Sequence, residues 1–281
     1  MTLPNFLLIG DIKAGSTSLY YYLSQHPDVF MPSGLKELRY FSYDKDNPYH
    51  VAAKSSRVRT LDEYEQWFKE GRTRKAIGEA SPNYLRSPIA ARNIHSSIPN
   101  ARLIACLRNP ADRLYSLFLM SRRYRADIET FEQRAFKENA TWIKGNYYWQ
   151  DLKRFYDLFP RDHLKIILFD DLVSATEATT RDTYHFLEVD DSFVPDYAIQ
   201  NEGGLPRYRA IYTNLVRVKN AAKRLWRPPT FARAAWAKVR RRSLYKPPLS
   251  EQTRQKILEV CFEDILRTQE LIGRDLTHWL T

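Results

Sequence analysis

Two cysteines in 281 residues, Cys106 and Cys261, are too few for a disulfide framework or a cysteine-based zinc site, which argues for a reducing compartment. No run approaches the roughly 20 apolar residues that a membrane-crossing helix needs. Met-Thr-Leu-Pro leads straight into an apolar stretch, leaving no room for a charged-then-apolar signal segment or a transit peptide, and the expectation is a cytoplasmic protein. Internal repeats and low-complexity tracts are missing too. Acid is missing locally: Gly203 to Ser250 holds no Asp or Glu but 13 Lys and Arg, so the remaining residues sum to about −2 of the total +11. The basicity is therefore one segment, suited to a polyanionic partner, an anionic membrane surface or a highly charged small ligand. No nucleic-acid-reading motif accompanies it, so no nucleic-acid partner is expected, while peripheral membrane contact stays open. Within it, Ile211, Leu215, Val218, Ala222 and Leu225 recur at helical spacing, which predicts a helix docked by that face.

What is present centres on Leu7 to Tyr20. The apolar run Asn5 to Ile9 enters a tight turn from Gly10 to Gly15, and the turn opens into a helix started by Ser16, Thr17 and Ser18. Backbone N–H groups at a helix start, the helix dipole and hydroxyl donors together make an anion cradle. The loop is not that of a nucleoside triphosphatase, whose lysine directly follows the second glycine. Here Ser16 follows Gly15, and the lysine, Lys13, stands on the other side of the turn.

Further strands are expected at Val29 to Met31, Lys75 to Glu79, Arg102 to Leu107 and Leu164 to Phe169. Alternating with helices, they predict an α/β, P-loop-type three-layer fold with a central parallel sheet flanked by helices. After the strand Arg102 to Leu107, Pro110 starts a helix in Arg108-Asn109-Pro110-Ala111-Asp112-Arg113-Leu114-Tyr115-Ser116. Arg108 at the strand end and Ser116 two turns into the helix face the crevice of the first loop, and a guanidinium fork with a hydroxyl suits a phosphate monoester. The alternative is that Arg108 pairs with Asp112. Glu37, between Lys36 and Leu38-Arg39, has two readings: a general base for a substrate hydroxyl, or a surface carboxylate in a salt bridge. Tyr147, Tyr148 and Trp149, near the start of a helix from Asn146 to Leu158, are open to packing on the sheet or on a purine ring. Asp170-Asp171 closes an apolar strand as a magnesium-binding aspartate would in a kinase, or caps the helix that follows. Ser250 to Leu280 reads as a capped amphipathic helix closed by Trp279.

Taken together, KAGSTSL, KELRYF, GEASPNY and LRNPADRLYSLF resemble the sulfotransferases that use 3′-phosphoadenosine 5′-phosphosulfate (PAPS), and the resemblance extends through LKIILFDDL and YKPPLSEQTR to LIGRDLTHWL. It is nearest to bacterial members and the carbohydrate, heparan-type branch. The resemblance implies one sulfotransferase domain over 1–281, with 1–200 as the P-loop-like core and 201–281 as a basic segment and C-terminal helices closing the donor site. It implies PAPS as a donor handled without metal, and a glycan or small-molecule acceptor that a basic cleft would suit if anionic. Lys13, Ala14, Gly15, Ser16, Thr17 and Ser18 match the loop that holds the 5′-phosphosulfate; Lys13 is also the leaving-group stabiliser. Arg108 and Ser116 match the 3′-phosphate pair, and Glu37 matches the catalytic base. Tyr148 is placed on the donor, and Arg241 and Arg242 in the loop that closes on it. Many glucosaminyl enzymes of that branch carry histidine and an acid after the base, where Arg39 and Ser42 stand here, so the acceptor is not fixed by the resemblance. The competing functions are a magnesium-dependent small-molecule kinase and a non-enzymatic binder of polyanions or membrane surfaces.

Overall fold

The computed structural model describes residues 2–44, 58–124, 129–198, 204–207 and 244–281. The expected helix over Ile211 to Leu225, and with it Arg241 and Arg242, lies outside these described residues.

Five strands form a parallel sheet in the order β2-β3-β1-β4-β5: β1 (Phe6–Gly10), β2 (Val29–Phe30), β3 (Ala76–Ala80), β4 (Arg102–Leu107) and β5 (Leu164–Leu168). The continuous apolar runs of β1 and β4 follow from burial on both faces. Leu7 and Ile9 join Leu103, Ala105 and Leu107 in one core, while Phe6 and Leu8 join Ile104 and Cys106 in another on the opposite face. Helix α1 (Ser16–Leu23) covers the second core. Helices α3 (Ala90–Ser97), α4 (Pro110–Tyr124), α7 (Trp149–Tyr156) and α10 (Glu251–Ile272) cover the first. The fold is thus the expected three-layer α/β arrangement. Shorter helices are α2 (Leu61–Gln66), α5 (Phe131–Phe136), α6 (Thr141–Lys144), α8 (Phe169–Ser174) and α9 (Thr176–Phe186).

A small antiparallel pair, β6 (Leu205–Pro206) with β7 (Leu244–Tyr245), is tied to α4 by Arg123, whose guanidinium donates to the Gly204 carbonyl at 2.7 and 3.0 Å. Ser250 caps α10 by accepting the Thr253 N–H, as expected from the sequence. Both cysteines are buried as free thiols. Chain order reverses on either side of β1, so the crevice beyond the carboxyl ends of β1 and β4 is where an open parallel sheet takes a ligand.

Candidate active site

The loop after β1 is held from below by a buried ion network. Asp11, 1% exposed, receives Arg86 at 2.5 Å and Arg113 at 3.0 Å, and Arg113 itself is 1% exposed. Burial works to raise the Asp11 pKa, but the two guanidinium groups outweigh it and the value is lowered. Since Arg113 belongs to α4, the two anion-binding elements expected from the sequence are clamped to each other.

Above this network Lys13 sits at φ 71 and Gly15 at φ 93. A Cβ on Gly15 would lie 2.6 Å from Leu172 Cδ2, so glycine is required by space as well as by the left-handed backbone. Gly15 is also the N-cap of α1, with no side-chain cap bond, and the helix starts at Ser16 as expected. The Thr17 hydroxyl is turned to Lys36, whose Nζ donates to it at 2.8 Å. Ala14 is a correction: its methyl is wholly buried in the core and its N–H turns back to the Asp11 carbonyl at 3.3 Å, so it supports the loop rather than facing a ligand.

A cavity of about 340 Å³ opens over this loop. Lys13, Gly15, Ser16, Thr17 and Ser18 line one side, Arg108 and Ser116 another, and Lys36 with Glu37 a third, so the structure brings together eight of the expected site residues. Lys246 and Phe169 complete the wall. Arg108 lies over the Phe169 ring, 4.2 Å from its centroid, and donates to the Lys13 carbonyl at 3.3 Å. Asp112 pairs instead with Arg254 at 2.8 Å, so the proposed Arg108–Asp112 pair is not the arrangement. Glu37 combines its two readings: it lines the cavity and is held by Arg39, whose Nε donates to it at 3.1 Å.

Tyr148 is corrected from a donor contact to a brace. It is wholly buried, its hydroxyl donates to the Arg108 carbonyl at 2.9 Å, and burial pushes its pKa up to about 12. Asp170 and Asp171 do not close β5 but lie in the first turn of α8. Asp170 accepts the Trp279 indole N–H at 2.9 Å, and Asp171 pairs with Arg274 at 2.9 Å. The carboxylates that recommended a kinase are thus spent on anchoring the segment after α10.

Sequence reading missed Arg123, Phe169 and Lys246 as individual contributors. Lys246 stands four residues past Arg242, beside the loop expected to close on the donor, whereas no local signal marked the other two.

Electrostatics give the cavity its character. Burial, with repulsion from Arg123, Arg108 and Lys36, lowers the Lys13 pKa to about 8. Burial likewise lowers Arg108, Lys36 and Lys246. Among the described residues no carboxylate forms a salt bridge with Lys13, Arg108 or Lys246, although Asp112 and Asp170 attract Arg108, and Asp112 attracts Lys246, from farther off. Such a concentration of buried, mutually repelling cations fits a ligand carrying several negative charges.

The fold and this cavity define an α/β protein with a cation-lined strand-loop-helix turn that lacks the triphosphatase lysine. Comparison with known proteins specifies the class. The family model described as the sulfotransferase family matches residues 4–193, and the chain belongs to that family. It is 35% identical over 121 residues to the membrane-associated sulfotransferase kil1 of Dictyostelium discoideum, covering 43% of this chain and 24% of that protein. It is 33% identical over 128 residues to the human bifunctional heparan sulfate N-deacetylase/N-sulfotransferase 3, covering 43% of this chain and 13% of that protein. The chain thus spans a quarter or less of the length of these curated relatives. A crystal structure of a sulfotransferase from Alicyclobacillus acidocaldarius aligns over 100% of both chains with a TM-score of 0.73 and 25% identity.

Proposed function

We propose that the protein moves a sulfuryl group from PAPS to a hydroxyl of a carbohydrate, glycolipid or other hydroxylated acceptor. The observation that carries this reading is the set of cations around one cavity, divided between the loop of Lys13 and the strand end of Arg108. A donor with a 5′-phosphosulfate and a separate 3′-phosphate has two anionic ends to satisfy, and the cavity has two cationic sides. When bound, the donor supplies an activated sulfuryl group on a good leaving phosphate.

The residues of this chain then have distinct tasks. Ser16 and Thr17 N–H groups at the head of α1 and the Lys13 ammonium neutralise the 5′ end. Arg108, lying over the Phe169 ring and braced by Tyr148, holds the 3′-phosphate together with the Ser116 hydroxyl. Glu37 takes the proton of the attacking hydroxyl as the new oxygen–sulfur bond forms and the bond from sulfur to the 5′-phosphate oxygen breaks, its electron pair staying on the oxygen beside Lys13. Arg39 holds and orients the Glu37 carboxylate for that task. Lys246 closes the same cavity from the C-terminal side.

We read 1–281 as one domain, because α10 shares a core with the sheet. A cytoplasmic site of action accords with the two free thiols. An acceptor of the glycan class is favoured by the heparan-directed relative, and an anionic acceptor by the basic segment, which also leaves a peripheral membrane contact available. Calorimetric titration with 3′-phosphoadenosine 5′-phosphate (PAP), with a metal chelator present and AMP for comparison, tests the donor. PAP is expected to bind about 10- to 100-fold more tightly than AMP, as charge-assisted bonds to one extra phosphate imply. Equal binding, or binding that needs magnesium, overturns the reading. Labelled transfer to desulfated heparan chains and to glycolipids tests the acceptor class.

A further inference from the structure

Glu79 lies in β3, 0% exposed, and lines no part of the cavity. A carboxylate in a sheet core is costly unless its oxygens are bonded. Tyr64 donates to it at 2.7 Å, Tyr84 at 3.0 and 3.1 Å, and Ser81 through its hydroxyl. Burial pushes its pKa up, while the three hydroxyls pull the other way. Nothing in sulfuryl transfer uses this group directly.

Two of the three hydroxyls make a second bond outward. The Ser81 oxygen accepts the Arg39 N–H at 3.0 Å, and the Tyr84 oxygen accepts the Phe41 N–H at 3.3 Å. Both suspended amides belong to the turn that carries Glu37. Arg39 stands at φ 58, a left-handed conformation that a non-glycine L residue keeps only when its surroundings hold it there. From that position its guanidinium grips Glu37.

We propose that Glu79 is a positioning residue for Glu37: the buried carboxylate fixes the direction of the Ser81 and Tyr84 hydroxyls, which hang the Arg39–Phe41 turn in the one conformation that presents Glu37 to the cavity. An ionised carboxylate only accepts, so all three hydroxyl protons point inward and their lone pairs are left for the backbone amides. A group of the same shape with donor hydrogens breaks that pattern without opening a void. The inference rests on the reading of Glu37 as the base.

Glu79→Gln supplies that group. The assay is release of labelled sulfate from PAPS to water, which stands in for the unidentified acceptor, together with PAP affinity and amide hydrogen exchange at Arg39 and Phe41 in the full chain. Glu79→Gln is expected to slow release about 10- to 100-fold, as a misplaced catalytic group does. PAP affinity is expected to stay the same, and exchange at the two amides to quicken. In a Glu37→Gln background the same change is expected to cost nothing further, an outcome that general loosening of the fold does not produce. If Glu79→Gln fails to fold, Ser81→Ala cuts only the link to Arg39 and is expected to show the same rate loss. PAP binding and Glu37-dependent release with unchanged rates in both variants, or an equal loss in both backgrounds, overturns this inference alone. A native protein that neither binds PAP nor releases sulfate, or a Glu37→Gln variant as fast as the native one, defeats the proposed function and this inference with it.

Discussion

Affinity for PAP should fall steeply with pH across a range where the ligand itself scarcely titrates. Lys13 carries the argument, since its pKa is lowered to about 8 by burial and by Arg123, Arg108 and Lys36. An anion binds the ammonium form and not the amine. Ligand-free protein at pH 7 is about nine-tenths protonated at Lys13, and at pH 9 about one-tenth, so Kd for PAP should rise roughly tenfold between them, or about 1.4 kcal/mol. The phosphate groups have second pKa values near 6, so they are already about nine-tenths doubly charged at pH 7 and change little above it. Lys36 and Lys246 are also lowered, so they add to the trend with the same sign. At pH 8, binding should take up about half a proton from buffer, because the bound anion restores the ammonium. Titration calorimetry in two buffers of different ionisation enthalpy measures that uptake directly. Lys13→Met should weaken binding at pH 7 and flatten much of the profile. An affinity unchanged from pH 7 to 9, or a profile as steep in Lys13→Met as in the native protein, would refute the reasoning.

Gly15→Ala should cost about 2–4 kcal/mol, from the left-handed backbone and the 2.6 Å approach to Leu172, read as a lowered Tm with PAP binding lost. Trp279→Ala removes a wholly buried ring together with its bond to Asp170 and should cost roughly 3–5 kcal/mol in urea unfolding. Asp11→Asn leaves Arg86 and Arg113 without their shared carboxylate and should cost about 3–5 kcal/mol. Because the folded pKa of Asp11 is lowered, its stabilisation is fully present above the ordinary aspartate range of about 4 and is lost as pH falls through the folded value. The difference in Tm between native protein and Asp11→Asn should therefore narrow in acid.

The parts of this site that the sequence disclosed are those whose signals are contiguous. An apolar run, a Gly-bounded turn and a polar helix start stand within fifteen residues, as do the strand end at Arg108, the proline and Ser116, and the strand rule aligns their ends. Contacts that cross the chain were not disclosed. Tyr148 was assigned to a ligand because nothing local reveals that it reaches Arg108, 40 residues away. Asp170 resembled a metal ligand because its partner Trp279 lies 109 residues on. Asp112 appeared available to Arg108 because Arg254 is distant in sequence. Glu79 was read as part of a strand and no more, although an acid between Gly78 and Ala80 in a buried strand is the mark of a bonded core carboxylate. The boundary of β5 moved for a local reason: Phe169 turns out of the sheet to sit beneath Arg108.

The bond from Asn109 Nδ2 to the Trp279 carbonyl, 3.0 Å long, joins residues 170 apart, one of them at the very strand end that carries Arg108. A ribosome adding about 5–20 residues per second reaches Trp279 some 10–30 seconds after Asn109. For that interval β1 and β4 can pair and the first loop can close, yet Asn109 waits for its partner and Asp170 for the indole. The cationic pocket is therefore among the last features to set during synthesis, and a nascent chain halted short of α10 would hold the sheet without a finished donor site.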